Sequence, residues 1–222
     1  MKKLQAALLA AGLIAAGSAQ ASIISHEAWN DHETTDIEQS LSFAQFDASL
    51  GSLTSVTLNL LGESISSTIL ENRAANGQTF RYTSELEFTF NLAGLDNVID
   101  LPDPAFTTTL ATTNGSTSLG HGESLDLGTT VDNGVFSLIL TSAADLALFT
   151  GGDHFSVNCS TLSISSFAGG GGNIDTNQTT TGACGAEIVY TYSTPTAEVS
   201  EPWSLWLFGA GLFSFAAMRR FS

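Results

Sequence analysis

Apolar and polar residues alternate along most of this chain with a period of two. Leu53, Val56, Leu58 and Leu60 are set among Thr54, Ser55, Thr57 and Asn59, the pattern of a strand buried on one face. Residues 79–92 repeat it: Phe80 and Tyr82, then Leu86, Phe88, Phe90 and Leu92, keep a period of two, with polar partners between. Asn76-Gly77 just before them is a turn signal. Further strands are predicted over 134–141, 160–167 and 186–194, the last rich in β-branched and aromatic residues (Glu187-Ile188-Val189-Tyr190-Thr191-Tyr192). Asp132-Asn133-Gly134 reads as a hairpin turn leading into the first of these. Residues 142–149 suit a helical turn or two before Gly151-Gly152. Short strands, Gly/Asn/Asp/Pro punctuation and no long helical period predict an all-β fold, a single antiparallel β-sandwich with a jelly roll as one variant.

Two segments break that pattern, one at each end. Lys2 and Lys3, the apolar run 4–16 and Ala19-Gln20-Ala21 form the three parts of a secretory signal peptide. Cleavage is expected after Ala21, and the Ala-x-Ala site argues against a retained anchor helix. At the other end, Ser200-Glu201-Pro202 precedes the uncharged 203–218, which ends at Arg219-Arg220. As a helix, those 16 residues would span roughly 24 Å, slightly short of a ~30 Å hydrocarbon core. Trp203 and Trp206 suit one interface and the arginines the other. Apolar residues on every face argue against a buried amphipathic helix. The basic end predicts a cytoplasmic C-terminus with residues 22–200 outside.

This C-terminal arrangement resembles the PEP-CTERM sorting signal of Gram-negative bacteria, in which Pro-Glu-Pro precedes a transmembrane helix and a basic end. Ser200 stands where the family has its first Pro. The resemblance implies processing by an exosortase, in addition to the cleavage by signal peptidase expected at Ala21. It also implies an inner-membrane intermediate followed by a cell-surface or extracellular location. Organisation follows: signal peptide 1–21, acidic segment 22–40, β-sandwich 41–194, linker 195–200 and sorting signal 201–222. A second resemblance lies in Phe43-Ala44-Gln45-Phe46-Asp47-Ala48-Ser49-Leu50-Gly51-Ser52-Leu53-Thr54-Ser55-Val56, in Ala144-Asp145-Leu146-Ala147-Leu148-Phe149-Thr150-Gly151 and in Tyr190-Thr191-Tyr192. Together these are similar to the choice-of-anchor E surface domain, where Gln-Phe-Asp-Pro-Ser-Leu-Gly-Thr-Leu recurs; Ala48 replaces the Pro. That resemblance implies a surface domain and no catalytic role.

Charge narrows the function classes. Of the 22 acidic residues, 21 lie within 22–200, against Arg73 and Arg81 as the only permanent cations there, a net charge of −19 for that stretch. Such a surface repels DNA, RNA and anionic polymers, which excludes a nucleic-acid partner. Cys159 and Cys184 are the whole thiol inventory. An even count in an exported segment favours one disulfide over free thiols or a metal site. The segment between them, with Gly169 to Gly172 followed by Asn173, Gln178 and threonines, reads as slack chain.

Candidate chemistry is sparse. His26-Glu27 and His32-Glu33 miss the i, i+4 spacing of a zinc helix and read as a flexible acidic segment. His121, near Ser124 and Asp126, has loop composition and no nucleophile elbow; His154 reads as a strand start. Glu85 and Glu87 project from one solvated strand face. No cofactor is expected. Asp96, Asp100 and Asp103 form the one set whose oxygens could ligate Ca²⁺, without EF-hand spacing. Residues 169–172 lack the Gly-Lys-Ser/Thr of a phosphate loop and read as a flexible tip. The favoured function is therefore a non-catalytic exported surface or matrix protein. An extracellular polysaccharide-binding module comes second and a secreted hydrolase is a remote third.

Overall fold

The computed structural model describes residues 21–93 and 99–194. The signal-peptide residues through Gln20, Asp96, and the sorting signal with Ser200, Glu201, Pro202, the 203–218 segment, Arg219 and Arg220 lie outside the described residues. No described helix is long and apolar enough to cross a membrane.

The described chain is an antiparallel β-sandwich of two sheets. In the first, β1 (Ala21–Trp29), β10 (Ile174–Ser193), β4 (Ser52–Asn72) and β8 (Ser124–Leu140) lie side by side, and the short β2 (Glu33–Thr34) also pairs with β10. The second runs β3 (Glu38–Ala44), β9 (His154–Gly169), β5 (Gln78–Ala93) and β6 (Phe106–Thr112), with β7 (Thr117–Leu119) also on β5. A six-residue helix α1 (Ala143–Leu148) joins β8 to β9, and Ser142 Oγ accepts from the Asp145 N–H at its N-terminus. Ala21 pairs with Ser193, so the described chain enters and leaves at the same end of the sandwich.

Alternation builds the core, but with two kinds of filling. Near the termini the inward residues are apolar: Phe43, Val56, Leu58, Leu60, Phe88, Phe90, Val157 and Ile188 form one large cluster. A smaller cluster of Leu70, Phe80, Tyr82, Ala111 and Leu119 fills the far end. Between them the inward positions of β4 are Ser64, Ser66 and Thr68, all buried. Their neighbours are also polar. Ser64 Oγ bonds Thr108 Oγ1 (2.7 Å), Ser66 Oγ bonds Thr180 Oγ1 (3.0 Å), and Gln178 links Ser66 to the Tyr82 hydroxyl. Buried hydroxyls are tolerable here because most find partners within the belt.

This belt explains one departure from the sequence pattern. Residues 174–181 are not slack; they are the first half of β10, paired with β4 from Ile174↔Asn72 onward. The glycines at 169–172 are not a free tip either. They form a short 3-10 turn (Gly170–Gly172) that carries the chain from one sheet to the other.

The predicted turn at Asp132-Asn133-Gly134 is likewise absent, and β8 runs straight through it. Gly134 sits opposite Gly62 on β4. A Cβ on Gly62 would strike the Phe88 ring, and one on Gly134 the Phe106 ring. Those rings pair across β5 and β6 and stack with centroids 5.0 Å apart. Gly134 thus provides close approach for an aromatic pair of the facing sheet, not a bend. Asp132 is occupied as well, its carboxylate accepting from the Thr109 N–H at 2.7 Å. The stretch 22–40, read as a flexible acidic segment, contains β1, β2 and the start of β3; its exposure is that of edge strands.

Candidate functional site

The polar residues singled out for chemistry are dispersed by the fold. His26, on β1, meets Tyr190 edge-on at 6.0 Å. His32 lies 3.2 Å from Glu63 on β4. His121 Nδ1 is 2.7 Å from the Ala74 carbonyl, while Asp126 accepts from the Gly128 N–H. The His121, Ser124 and Asp126 set is therefore not drawn together by these bonds. His154 opens β9, opposite Ala44. On β5, Glu85 is exposed and Glu87 half-buried. Asp103 accepts from the Thr89 hydroxyl at 2.8 Å. Among the described residues no group of three His, Cys, Asp or Glu side chains is placed to hold a metal ion.

What the fold does bring together are the three stretches that resemble the surface domain. Phe46 forms a bridge with Thr150 and exchanges backbone bonds with Phe149 and Gly151 (2.7 and 3.0 Å). The Gln45 side chain clamps the same loop, donating to the Leu148 carbonyl and accepting from the Asp153 N–H. From β10, Tyr190 Oη donates to the Ala44 carbonyl at 2.8 Å, and the Phe46 ring packs against Tyr190 and Tyr192. Burial pushes the Tyr190 hydroxyl well above the usual tyrosine range. Asp47 caps the 3-10 turn Ala48–Leu50, and its carboxyl is held below the usual range by the backbone N–H of Ser49 and then by the Ser49 side chain. A shallow recess of about 450 Å³ opens beside Gln45, Asp47 and Asp153. Phe46 and Phe149 are both buried, so the node braces the end where the chain enters and leaves.

Cys159 and Cys184 form a disulfide, with Cα atoms 6.4 Å apart and 25 residues between them in sequence. It joins β9 to β10, hence one sheet to the other, inside the large cluster.

Trp29, at the end of β1, is a feature the sequence marked only as the sole tryptophan within 22–200. Its indole lies flat over Gly185 of β10, where a Cβ would meet the ring fusion. Nε1 donates to Glu27 at 2.9 Å, and 45% of the residue stays exposed. Close by on the same sheet, Ser137 donates to Asn59, which donates to Glu187 (2.7 and 2.8 Å). A fixed aromatic face next to a carboxylate–amide–hydroxyl ladder can stack on and hydrogen-bond a polar ligand.

No family model and no curated protein matches the sequence. Solved structures with some likeness include the T13 infectious bursal disease virus particle, at TM-score 0.23 and 10% identity over 82% of this chain and 41% of that one. The subviral particle of the same virus's VP2 gives TM-score 0.22 and 12% identity, over 82% of this chain and 43% of that one. VP1 of the Trichodysplasia spinulosa-associated polyomavirus, in complex with 6'-sialyllactose, gives 0.20 and 10%, over 78% of this chain and 96% of that one. The chain thus spans less than half the length of the first two proteins. Likeness at these TM-scores carries no argument.

Proposed function

We propose that the protein is a non-catalytic, exported cell-surface or extracellular-matrix protein whose β-sandwich is the delivered cargo of a C-terminal sorting signal. The observation that carries this reading is the coincidence of Ser200-Glu201-Pro202, the apolar 203–218 and Arg219-Arg220 with an N-terminal Lys2-Lys3/Ala19-Gln20-Ala21 segment. The buried inter-sheet disulfide supports it, since such bonds persist in oxidising, exported compartments. Dispersal of the histidines and carboxylates supports a binding or structural role over hydrolysis. We read the two strand orders, four long strands to each sheet, as a jelly roll.

The test is intact and C-terminal peptide mass spectrometry of the protein from its native host, with and without the exosortase. A C-terminus near Glu201-Pro202, with residues 203–222 missing only when the enzyme is present, is the expected result. A retained tail in both strains would sink the processing step and leave a plain C-terminal anchor. The Trp29 face favours one second reading, a polysaccharide-binding module. The flanking Glu27, Glu63 and Glu187 select neutral over anionic polymers. Binding to a neutral glycan on an array, lost in Trp29→Ala, is the expected sign of that reading; equal binding by both proteins would discard it.

A further inference from the structure

β9 changes its surroundings halfway along. Over His154–Ser160 it lies between β3 and β5, but β3 ends there while β5 continues to Gly169. Past that point the Thr161 N–H still reaches the Ile37 carbonyl (3.1 Å), and the Ser163 N–H is taken by the Asp36 carboxylate (2.7 Å). Residues two apart in a strand direct their backbone groups to the same edge. Ser165 and Phe167 therefore point their N–H and C=O groups to the side where, among the described residues, no strand pairs with them. All of 162–169 is exposed, including Leu162, Ile164 and Phe167.

Exposed edges are normally blunted by charge, proline or a covering segment. Among the described residues this one carries none of these beyond Ser163, and residues 154–169 contain no Asp, Glu, Lys, Arg or Pro. In a chain so acidic, the occupant that such a neutral seam fits is a second copy of the same seam, because that pairing brings two uncharged strand edges together. The nearest acid, Asp36, is held on the Ser163 N–H at one end of the edge, and Glu85 and Glu87 sit one strand further in. Across a self-pairing, Glu85 and its counterpart would be three strand spacings apart, roughly 14 Å, beyond the screening length of about 8 Å.

We propose that the 163–168 edge of β9 is a self-association seam, pairing antiparallel with the same edge of a second copy about a two-fold axis at Ser166. In this register Ser165 and Phe167 exchange backbone bonds with Phe167 and Ser165 of the second copy, using only groups that Asp36 leaves free. Ser166 faces its counterpart as a non-hydrogen-bonded pair, with Cα atoms about 4.5 Å apart. Ile164 meets Ala168, which extends the apolar strip on the outer face. A closed two-fold pairing also protects the edge from open-ended stacking.

The pair at Ser166 lies within disulfide reach, which supplies the test. Intact chain carrying Ser166→Cys, purified in mild detergent and oxidised, is expected to give a covalent dimer. Thr107→Cys, on the exposed face of β6, is expected to stay monomeric. Sedimentation velocity on the unaltered chain, at up to about 0.3 mM because a seam this small binds weakly, is expected to show a monomer–dimer equilibrium. Ser166→Lys, which leaves the fold intact and opposes two cations, is expected to weaken it roughly fivefold or more. Cross-linking of Ser166→Cys no faster than Thr107→Cys would overturn the proposal. So would a unaltered chain that stays monomeric, or a dimer indifferent to Ser166→Lys.

Discussion

In the half of the sandwich where the chain enters at Ala21 and leaves at Ser193, β1 flanks β10 and β3 flanks β9. The Cys159–Cys184 bond ties the sheets together there, and the Gln45–Phe46 node locks the loop after α1. In the other half, β9 and β10 run on without those flanking strands, the apolar cluster narrows to five buried residues, and the loops depend on Asn72. Asn72 is fully buried and donates to the carbonyls of Asn76, Leu119 and Gly120 while accepting from the Ala74 N–H. One half is closed by a disulfide and a large apolar cluster, the other by a small apolar cluster whose loops are tied by a buried polar side chain. The lesson is a division of labour: the end that joins the rest of the chain is braced, while the far half keeps open edges available for contacts.

The largest expected effect belongs to the braced half. Replacing both cysteines (Cys159→Ser with Cys184→Ser) frees a 25-residue separation and is expected to cost about 3.5 kcal/mol on the chain-entropy model. Urea unfolding of the oxidised protein and the double variant reads this directly; equal midpoints would show that the disulfide braces nothing.

Next comes Gly134→Ala, placed under the Phe106 ring and expected to cost about 1–3 kcal/mol by overpacking. A neutral result in thermal unfolding would contradict the close approach of the Phe106 ring to Gly134. The smallest effect concerns pH. The Tyr190 hydroxyl is neutral in the folded state and its pKa is raised by burial. Its contribution is therefore whole below the unfolded value of about 10 and fades as pH rises beyond it. Tyr190→Phe is expected to lose about 1 kcal/mol at neutral pH with the Ala44 bond, and to lose less than the unaltered protein on going from neutral to strongly alkaline solution. Parallel alkaline profiles for the two would contradict this.

The sequence was legible where the core is apolar. Val56, Leu58 and Leu60, and Phe80 through Leu92, mark their strands because one face is oily and the other wet. Legibility failed where the inward face is polar. Beyond Leu60, β4 turns inward Gly62, Ser64, Ser66 and Thr68, and its partner β10 turns inward Gln178 and Thr180; hydrophobic periodicity has nothing to register there. Gly134 misled for another reason. Asp-Asn-Gly is good local turn chemistry, but the residue is demanded by Phe106 on the facing sheet, a non-local contact that no window around 134 contains. That His26 and His32 lack the i, i+4 spacing of a zinc helix was legible in the sequence. The convergence of Gln45, Phe46, Phe149 and Tyr190 was not, because three separate stretches meet only once both sheets are formed. Trp29 gave no signal of its face, since the flat seat depends on Gly185.

Native-state hydrogen exchange on the intact, oxidised protein, with and without Asn72→Ala, tests the two-half account most directly. The account predicts that β4 amides of residues 56–60 exchange slowly in both proteins, by global opening alone. It also predicts that residues 72–78 and 117–123 exchange at least about tenfold faster in the variant, as expected when buried carbonyls lose their donor. Acceleration spread equally over 56–60 and the far loops would mean that the sandwich opens as one unit, and the division between its halves would fall.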